Sequence, residues 1–285
     1  MNKILCSLII VTHNSDKDIK NFVSSFLEQN KKLYSSQIEF IFIENSGQSY
    51  LKKYLQPLAD NGYRVIFKEM ENKGFGAGCN FGASMASAKT IVFINPDIIF
   101  NTPFSKKILY SDQDIWATIP QKKDKNFHFF NNSFDIYPEK KSILTDHLRM
   151  EKFYNLFAYF YISKNIFPIG SFFAIDNKLF HKSGGFNEEF FMYYEEAELS
   201  KRIKRSISKP ILITDMSITH IGQGSQNIED IIKREIESLI IYCRICNLPN
   251  TINKTIKILK ITSLWSKISY NRLKILYKKR IELNE

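Results

Sequence analysis

The chain of 285 residues is 44% hydrophobic and 14% aromatic, enough to build a buried core and too apolar for a disordered chain. Its net charge of +11 is uneven: residues 250–285 carry nine Lys or Arg against two Glu, a net of +7, so everything before them is only mildly basic. No run of eighteen apolar residues offers a membrane-spanning helix, and Cys6, Cys79, Cys243 and Cys246 lack disulfide-framework spacing, as a reducing cytoplasm would suit.

Met1-Asn2-Lys3 and the apolar Ile4 to Val11 imitate a short signal peptide, but no small-x-small cleavage site follows. Ser7 to Val11 reads instead as a first strand. Ile19, Phe22, Val23, Phe26 and Leu27 then form a helical stripe within Asp16 to Gln29. Ile38 to Ile43 is a second strand, closed by the turn cluster Glu44-Asn45-Ser46-Gly47. Tyr50 to Asn61 reads as helix, Tyr63 to Phe67 as a third strand, and Asn72 to Gly82 opens a helix running to about Lys89. Ile91 to Ile94 is a fourth strand. Such alternation predicts a mainly parallel sheet covered on both faces.

Residues 101–165 are less regular. Their cluster Phe153, Tyr154, Phe157, Tyr159, Phe160 and Tyr161 suits either a core helix against the sheet or a lid or acceptor surface. Gly170 to Ile175 is strand-like, Asn177 to Ser183 helical, Gly184-Gly185-Phe186 a turn and Glu195 to Arg205 a helix. Ile211 to Ile218 reads as one strand, and Asn227 to Asn247 as a long helix stopped by Pro249. Cys243 and Cys246 form a lone CxxC three apart in that helix, and a zinc ribbon needs a second pair.

Four features carry chemistry. Asn95-Pro96-Asp97 ends the apolar run Thr90 to Ile94, so Asp97 stands at a strand's carboxyl end, where open α/β sheets bind ligands. A carboxylate there can hold a hard divalent cation, and the plain alternative is an Asx-Pro turn. Gly74-Phe75-Gly76-Ala77-Gly78-Cys79-Asn80-Phe81-Gly82 fails the GxGxxG spacing and is no P-loop; it leaves a permissive turn entering a helix N-terminus, favourable to an anion. Glu195-Glu196-Ala197-Glu198 follows a crowd of aromatics. These carboxylates complement the helix dipole, Glu198 and Arg202 are spaced for a surface ion pair, and a desolvated member would make a base near neutrality. His220 follows a strand and gains meaning only if it faces Asp97.

Taken in order, these segments resemble the family 2 glycosyltransferases of GT-A fold, closest to the bacterial rhamnosyltransferase-like branch. The resemblance covers roughly residues 5–225. Ser7 to Asn14 is similar to the family's opening strand and nucleotide-contacting turn, and Ile41-Phe42-Ile43-Glu44-Asn45-Ser46 to its second strand, with Glu44 where Asp is usual. Asn72 to Gly82 resembles its glycine-rich segment, Asn95-Pro96-Asp97 its metal-binding DxD, and Gly170-Ser171-Phe172, Gly184 to Glu188 and Phe191 to Glu196 its acceptor-side block. Glu196 stands where the family carries the Asp of a Glu-Asp pair, which leaves Glu195 as a rival. His220-Ile221-Gly222 falls at a late metal or phosphate contact.

The resemblance implies a mostly parallel mixed sheet flanked by helices, with a GT-A domain over 1–226 (nucleotide-sugar half 1–100, acceptor half 101–226) and a basic amphipathic helical extension over 227–285. It implies inverting transfer from a nucleoside-diphosphate sugar, dTDP-rhamnose or a UDP-sugar, to a hydroxyl of a glycan or lipid-linked glycan in bacterial surface polysaccharide synthesis. Thr12, Asn14, Glu44 and Asn45 would hold the nucleoside. Asn72, Gly74, Gly76, Asn80 and Asn95 would line the diphosphate and sugar, Asp97 and His220 would hold Mn2+ or Mg2+, and Glu196 or Glu195 would be the base. In the tail, Ile252, Ile256, Leu259, Leu264, Trp265, Ile268, Leu273, Leu276 and Tyr277 lie among cations, the look of an interfacial helix on an anionic membrane or of helices packed on the domain with a solvated face. The expected location is cytoplasmic, peripheral on the inner face of the cytoplasmic membrane, with no nucleic-acid partner. The alternatives are a non-catalytic nucleotide-sugar-binding subunit of a glycan assembly complex and, disfavoured by the glycine spacing, a Rossmann dehydrogenase.

Overall fold

The computed structural model describes residues 3–31, 33–47, 51–123, 133–141, 165–207, 209–222, 227–264 and 267–282. The aromatic cluster expected over 153–161 and Trp265 lie outside them.

Strands β1 (Cys6–Thr12), β2 (Ile38–Glu44), β3 (Arg64–Glu69) and β4 (Thr90–Ile94) run parallel and are joined by α1 (Asp16–Asn30), α2 (Lys52–Asp60) and α3 (Phe75–Met85). Every residue of β1, β2 and β4 is buried, because both faces of the sheet are covered. Alternation sorts the side chains. Leu8, Ile10, Phe40, Phe42, Val92 and Ile94 face α1, whose Phe22 and Phe26 meet Phe42 and Phe40 edge-on at 6.3 and 4.9 Å. Ile9, Val11, Ile41, Ile43, Ile91 and Phe93 face the other way, toward Cys79 and Ala83 of α3.

After β4 come β5 (Ile98–Phe100), α4 (Lys106–Leu109), β6 (Trp116–Thr118), β7 (Gln121–Lys123), β8 (Phe134–Ile136), β9 (Ile166–Pro168) and β10 (Phe172–Asp176). With β11 (Ile211–Leu212), the main sheet has the order β11-β6-β10-β4-β1-β2-β3, with β10 antiparallel to both β4 and β6. Helices α5 (Asn177–Lys182) and α6 (Glu195–Ile203) add Leu179, Phe180, Leu199 and Ile203 to the α3 face.

The single strand expected over Ile211 to Ile218 is two. β11 (Ile211–Leu212) joins the main sheet, whereas β12 (Ile218–His220) pairs with β5 and β7 in a second sheet. The break lies between Leu212 and Ile218, where the Asp215 carboxylate accepts a 2.7 Å bond from the Ser105 hydroxyl at the start of α4.

Three helices follow: α7 (Ile228–Ile245), α8 (Pro249–Thr262) and α9 (Lys267–Glu282). Leu239, Tyr242 and Cys243 of α7 pack against Phe167, Phe190 and Ala197, beside the start of α6. Ile232 and Ile236 pack with Ile256, Leu259 and Leu276, so much of the apolar stripe of α8 and α9 is spent on α7. No helix among the described residues is long and apolar enough to cross a membrane.

Candidate active site

Register brings Thr12 of β1 beside Glu44 of β2 at the carboxyl end of the sheet. The Thr12 hydroxyl donates to Glu44 Oε2 at 2.6 Å, and the Ser46 N–H donates to Oε1 at 2.6 Å, so the buried carboxylate holds the two strand ends and their turn in one shape. Asn45 N–H donates to the Thr12 carbonyl at 2.9 Å, while its own Oδ1 is buried with no partner. Asn14 stands exposed at φ 53°, a left-handed position that Asn tolerates well. These four residues therefore meet at one rim.

The glycine segment divides its work. Gly78 and Gly82, one turn apart on α3, lie on β1: a Cβ on Gly82 would stand 2.4 Å from Ile9 Cγ2, and one on Gly78 would stand 2.8 Å from Val11 Cγ1. Here glycine serves helix-to-strand contact. Gly74, at φ +102°, lies under the Phe191 carbonyl, which accepts a 2.9 Å bond from Phe75 N–H. Gly76 touches Phe186. Asn80 spends its amide on the same loop: Nδ2 donates to the Phe186 carbonyl and to Glu188, both at 2.9 Å, and Oδ1 accepts from Phe186 N–H at 2.8 Å. Asn72 closes a turn by accepting from Gly74 N–H.

Asp97 and His220 do meet. Pairing of β12 with β5 sets His220 opposite Ile98, and His220 Nε2 lies 3.3 Å from Asp97 Oδ1 and 3.5 Å from Asn95 Nδ2. Gly222 N–H donates to Asp97 Oδ2 at 2.9 Å. Burial alone would raise the Asp97 carboxyl; the His220 and Gly222 bonds and the His220 charge outweigh it and hold it below its ordinary value. Asp18 of α1 faces the same mouth: burial lifts its carboxyl and the Asp97 charge lifts it further. A carboxylate oxygen beside an imidazole nitrogen suits a divalent cation that keeps positions for phosphate oxygens. Among the described residues no three His, Cys, Asp or Glu gather as a metal group.

The acid pair lies across a short bridge of backbone. Asn95 N–H donates to the Ser171 carbonyl at 3.0 Å, next to Gly170. Glu196, half-buried in the first turn of α6, rests its carboxylate on Gly170 so closely that a Cβ there would stand 2.0 Å from Oε1. Glu195 is 2% exposed and its Oε2 has no partner. Burial pushes the Glu195 carboxyl well above its ordinary value, and the neighbouring Glu196 charge adds to it. Burial raises Glu196 to about 7, against bonds from its own and the Gly170 N–H groups and with help from the Asp135 charge. Burial thus disfavours charge on both carboxyls, more strongly at Glu195 than at Glu196, and the two titrate as a pair.

Residues 7–186 match the sequence profile of glycosyl transferase family 2. The chain belongs to that family. This glycosyltransferase is 26% identical over 211 residues to the low-salt glycan biosynthesis hexosyltransferase Agl10 of Haloferax volcanii, a match covering 70% of this chain and 61% of that one. The transferase thus spans less than two thirds of that relative's length. In structure it is similar to the mannosyltransferase PcManGT from Pyrobaculum calidifontis, solved with GDP-Man and Mn2+ (TM-score 0.57, 12% identity, 97% of this chain and 69% of that one). It is similar also to S. aureus TarS 1-349 in complex with UDP-GlcNAc (TM-score 0.52, 12% identity, 98% and 92%). At such identities the likeness establishes the GT-A fold.

Neighbouring residues brace the acid pair in ways that the sequence did not reveal. Tyr193 and Tyr194, just before the acid pair, hold φ of 75° and 65°, a left-handed conformation costly for aromatic residues. They are clamped from outside: the Ser238 hydroxyl of α7 donates to the Met192 carbonyl at 2.6 Å, and the Tyr194 ring lies 5.9 Å from that of Tyr242. The Glu198–Arg202 pair, expected at the surface, is largely covered. Arg202 donates to both oxygens of Glu198, at 2.8 and 2.6 Å, and also to the Ser183 and Gly185 carbonyls, so it ties α6 to the glycine turn.

Proposed function

We propose that the enzyme transfers a hexosyl group, with inversion, from a nucleoside-diphosphate sugar to a hydroxyl of a glycan or lipid-linked glycan. The observation that carries this reading is the unequal pair: Glu195 sealed at 2% exposure, Glu196 half-open against Gly170 with its carboxyl raised to about 7. A single displacement needs one base and no covalent partner. Glu196, near neutrality, suits a base that takes the acceptor proton as the oxygen attacks. Glu195, sealed at 2% exposure, is poorly placed to reach an anomeric carbon as a nucleophile, which supports inversion.

In this reading Thr12, Asn14 and Asn45 receive the nucleoside, with Glu44 bracing the turn that presents them. Asn95 and the loop that Gly74, Gly76 and Asn80 support flank the diphosphate and sugar. Asp97 and His220 would hold Mn2+ or Mg2+, which when bound neutralises charge gathering on the leaving diphosphate. Nucleotide sugars seated in the PcManGT and TarS structures, and the Mn2+ of the former, support the donor class and a divalent cation. The name of the Agl10 relative supports a glycan as product. Rhamnose, bacterial surface polysaccharide and dTDP rest on the sequence resemblance alone. Four unpaired thiols support a reducing compartment.

A thermal-shift screen of UDP, dTDP and GDP, each with and without Mn2+, tests the donor half. A ligand at about a hundred times its dissociation constant adds about 2.7 kcal/mol to stability. Stabilisation by one nucleoside diphosphate that grows with Mn2+ is the expected result; silence from all three overturns the reading.

A further inference from the structure

We infer that the junction of α8 and α9 is a membrane-docking tip that seats on anionic lipid. The helices' core stripe is already accounted for, since Ile256, Leu259, Leu273 and Leu276 pack against α7. A second apolar group remains where the two helices meet: Ile261 is 41% exposed, Leu264 79% and Ile268 52%. These three fall within eight residues, at the end of one helix, in the turn and in the first turn of the next. Bare apolar side chains so clustered at a turn are costly in water and mark a contact surface.

Charge identifies the occupant. Between Ser238 and Ile281 the sequence contains no Asp or Glu. The cations turned toward α7 are matched there, Arg272 by Glu235 at 2.7 Å and Lys279 by Glu237 at 3.0 Å. Lys257, Lys260, Lys267 and Lys274 are exposed on the two helices that lead to and from the apolar tip, Lys260 with its ammonium 5.7 Å from the Tyr277 ring centre. An apolar wedge between helices rich in lysine and free of acidic residues near the tip matches the acyl boundary and negative headgroups of an anionic leaflet, the two attractions acting together. A protein partner would have to supply both an apolar socket and an acidic ring.

The inference is independent of the transfer chemistry, so the Glu196→Gln protein must bind lipid as wild type does. The test is cosedimentation of the full chain with phosphatidylcholine vesicles, with and without about one-third phosphatidylglycerol. Expected is partition about tenfold or more stronger onto the anionic vesicles at ~0.1 M salt, weakening at ~1 M as the Debye length falls from about 10 to about 3 Å. Leu264→Asp with Ile268→Asp should lower that partition about tenfold while melting temperature and transfer to a soluble acceptor stay unchanged. No partition onto anionic vesicles, or equal partition by the double variant, overturns the inference. So does lipid-free self-association that the double variant abolishes, which would assign the tip to a second copy of the chain.

Discussion

Gly170→Ala gives the sharpest test of how Glu196 is placed. The added Cβ would stand 2.0 Å from Glu196 Oε1, 2.9 Å from Cδ and 3.2 Å from Cγ. Ordinary contact needs more than 3 Å, so the carboxylate must retreat by roughly 1 Å or more; a misplacement of that size costs about 10²-fold in turnover. The clash falls on the end of a flexible side chain, so the fold absorbs it. Losing a glycine also narrows the unfolded ensemble, worth about 0.4–1 kcal/mol where the backbone tolerates alanine. The expected variant therefore melts within a few degrees of wild type and binds donor equally well, but turns over about a hundredfold more slowly. The assay follows nucleoside diphosphate released on transfer, with donor affinity measured separately by thermal shift. Full turnover in Gly170→Ala, or a matching loss of donor affinity, would refute the reasoning.

Three further outcomes follow from the same geometry. Asp97→Asn should abolish the Mn2+-dependent part of the nucleotide stabilisation and lower the metal-free melting temperature modestly, because the His220 and Gly222 contacts that hold the carboxyl below its ordinary value stabilise the fold at neutral pH. Gly82→Ala should overpack α3 on Ile9, and after the ~1 kcal/mol that alanine gains in a helix the net cost is about 1–2 kcal/mol, a fall of about 2–8 °C in melting temperature without a selective loss of turnover. On pH, Glu196 is raised in the folded state from its ordinary 4.5 to about 7, so its contribution to stability is greatest below 4.5 and is lost as pH rises to about 7. Melting temperature should thus decline from pH 5 to 8, and decline less in Glu195→Gln, which removes the more strongly raised carboxyl. Over the same range kcat/KM of wild type should fall about tenfold per pH unit below an apparent pKa near 7.

Much of the sheet was legible because β1, β2 and β4 are predominantly apolar runs ended by turn residues, interrupted only by Ser7 and Glu39, and α1 shows its stripe. The Ile211 to Ile218 segment misled because its composition is strand-like throughout, whereas the bond from Ser105 to Asp215 comes from a residue over a hundred positions away. Asp97 could be located as a strand-end carboxylate, but its pairing with His220 depends on a second sheet that no local pattern announces. The difference between Glu195 and Glu196 was likewise hidden. It arises from where the first turn of α6 sits against Gly170, and from a left-handed Tyr193-Tyr194 backbone that Ser238 and Tyr242 hold from a later helix. The tail's cations and apolar residues were visible in sequence, but only packing separated those that bind α7 from Ile261, Leu264 and Ile268.

The most direct test of the central claim compares wild type, Glu196→Gln and Glu195→Gln in a transfer assay with the nucleoside-diphosphate sugar that stabilises the fold most. If Glu196 is the base, Glu196→Gln loses about 10²–10⁴-fold in turnover with donor affinity intact, and Glu195→Gln stays within about tenfold of wild type with its acid limb still near pH 7. Full activity in Glu196→Gln, or the larger loss in Glu195→Gln, would contradict the account.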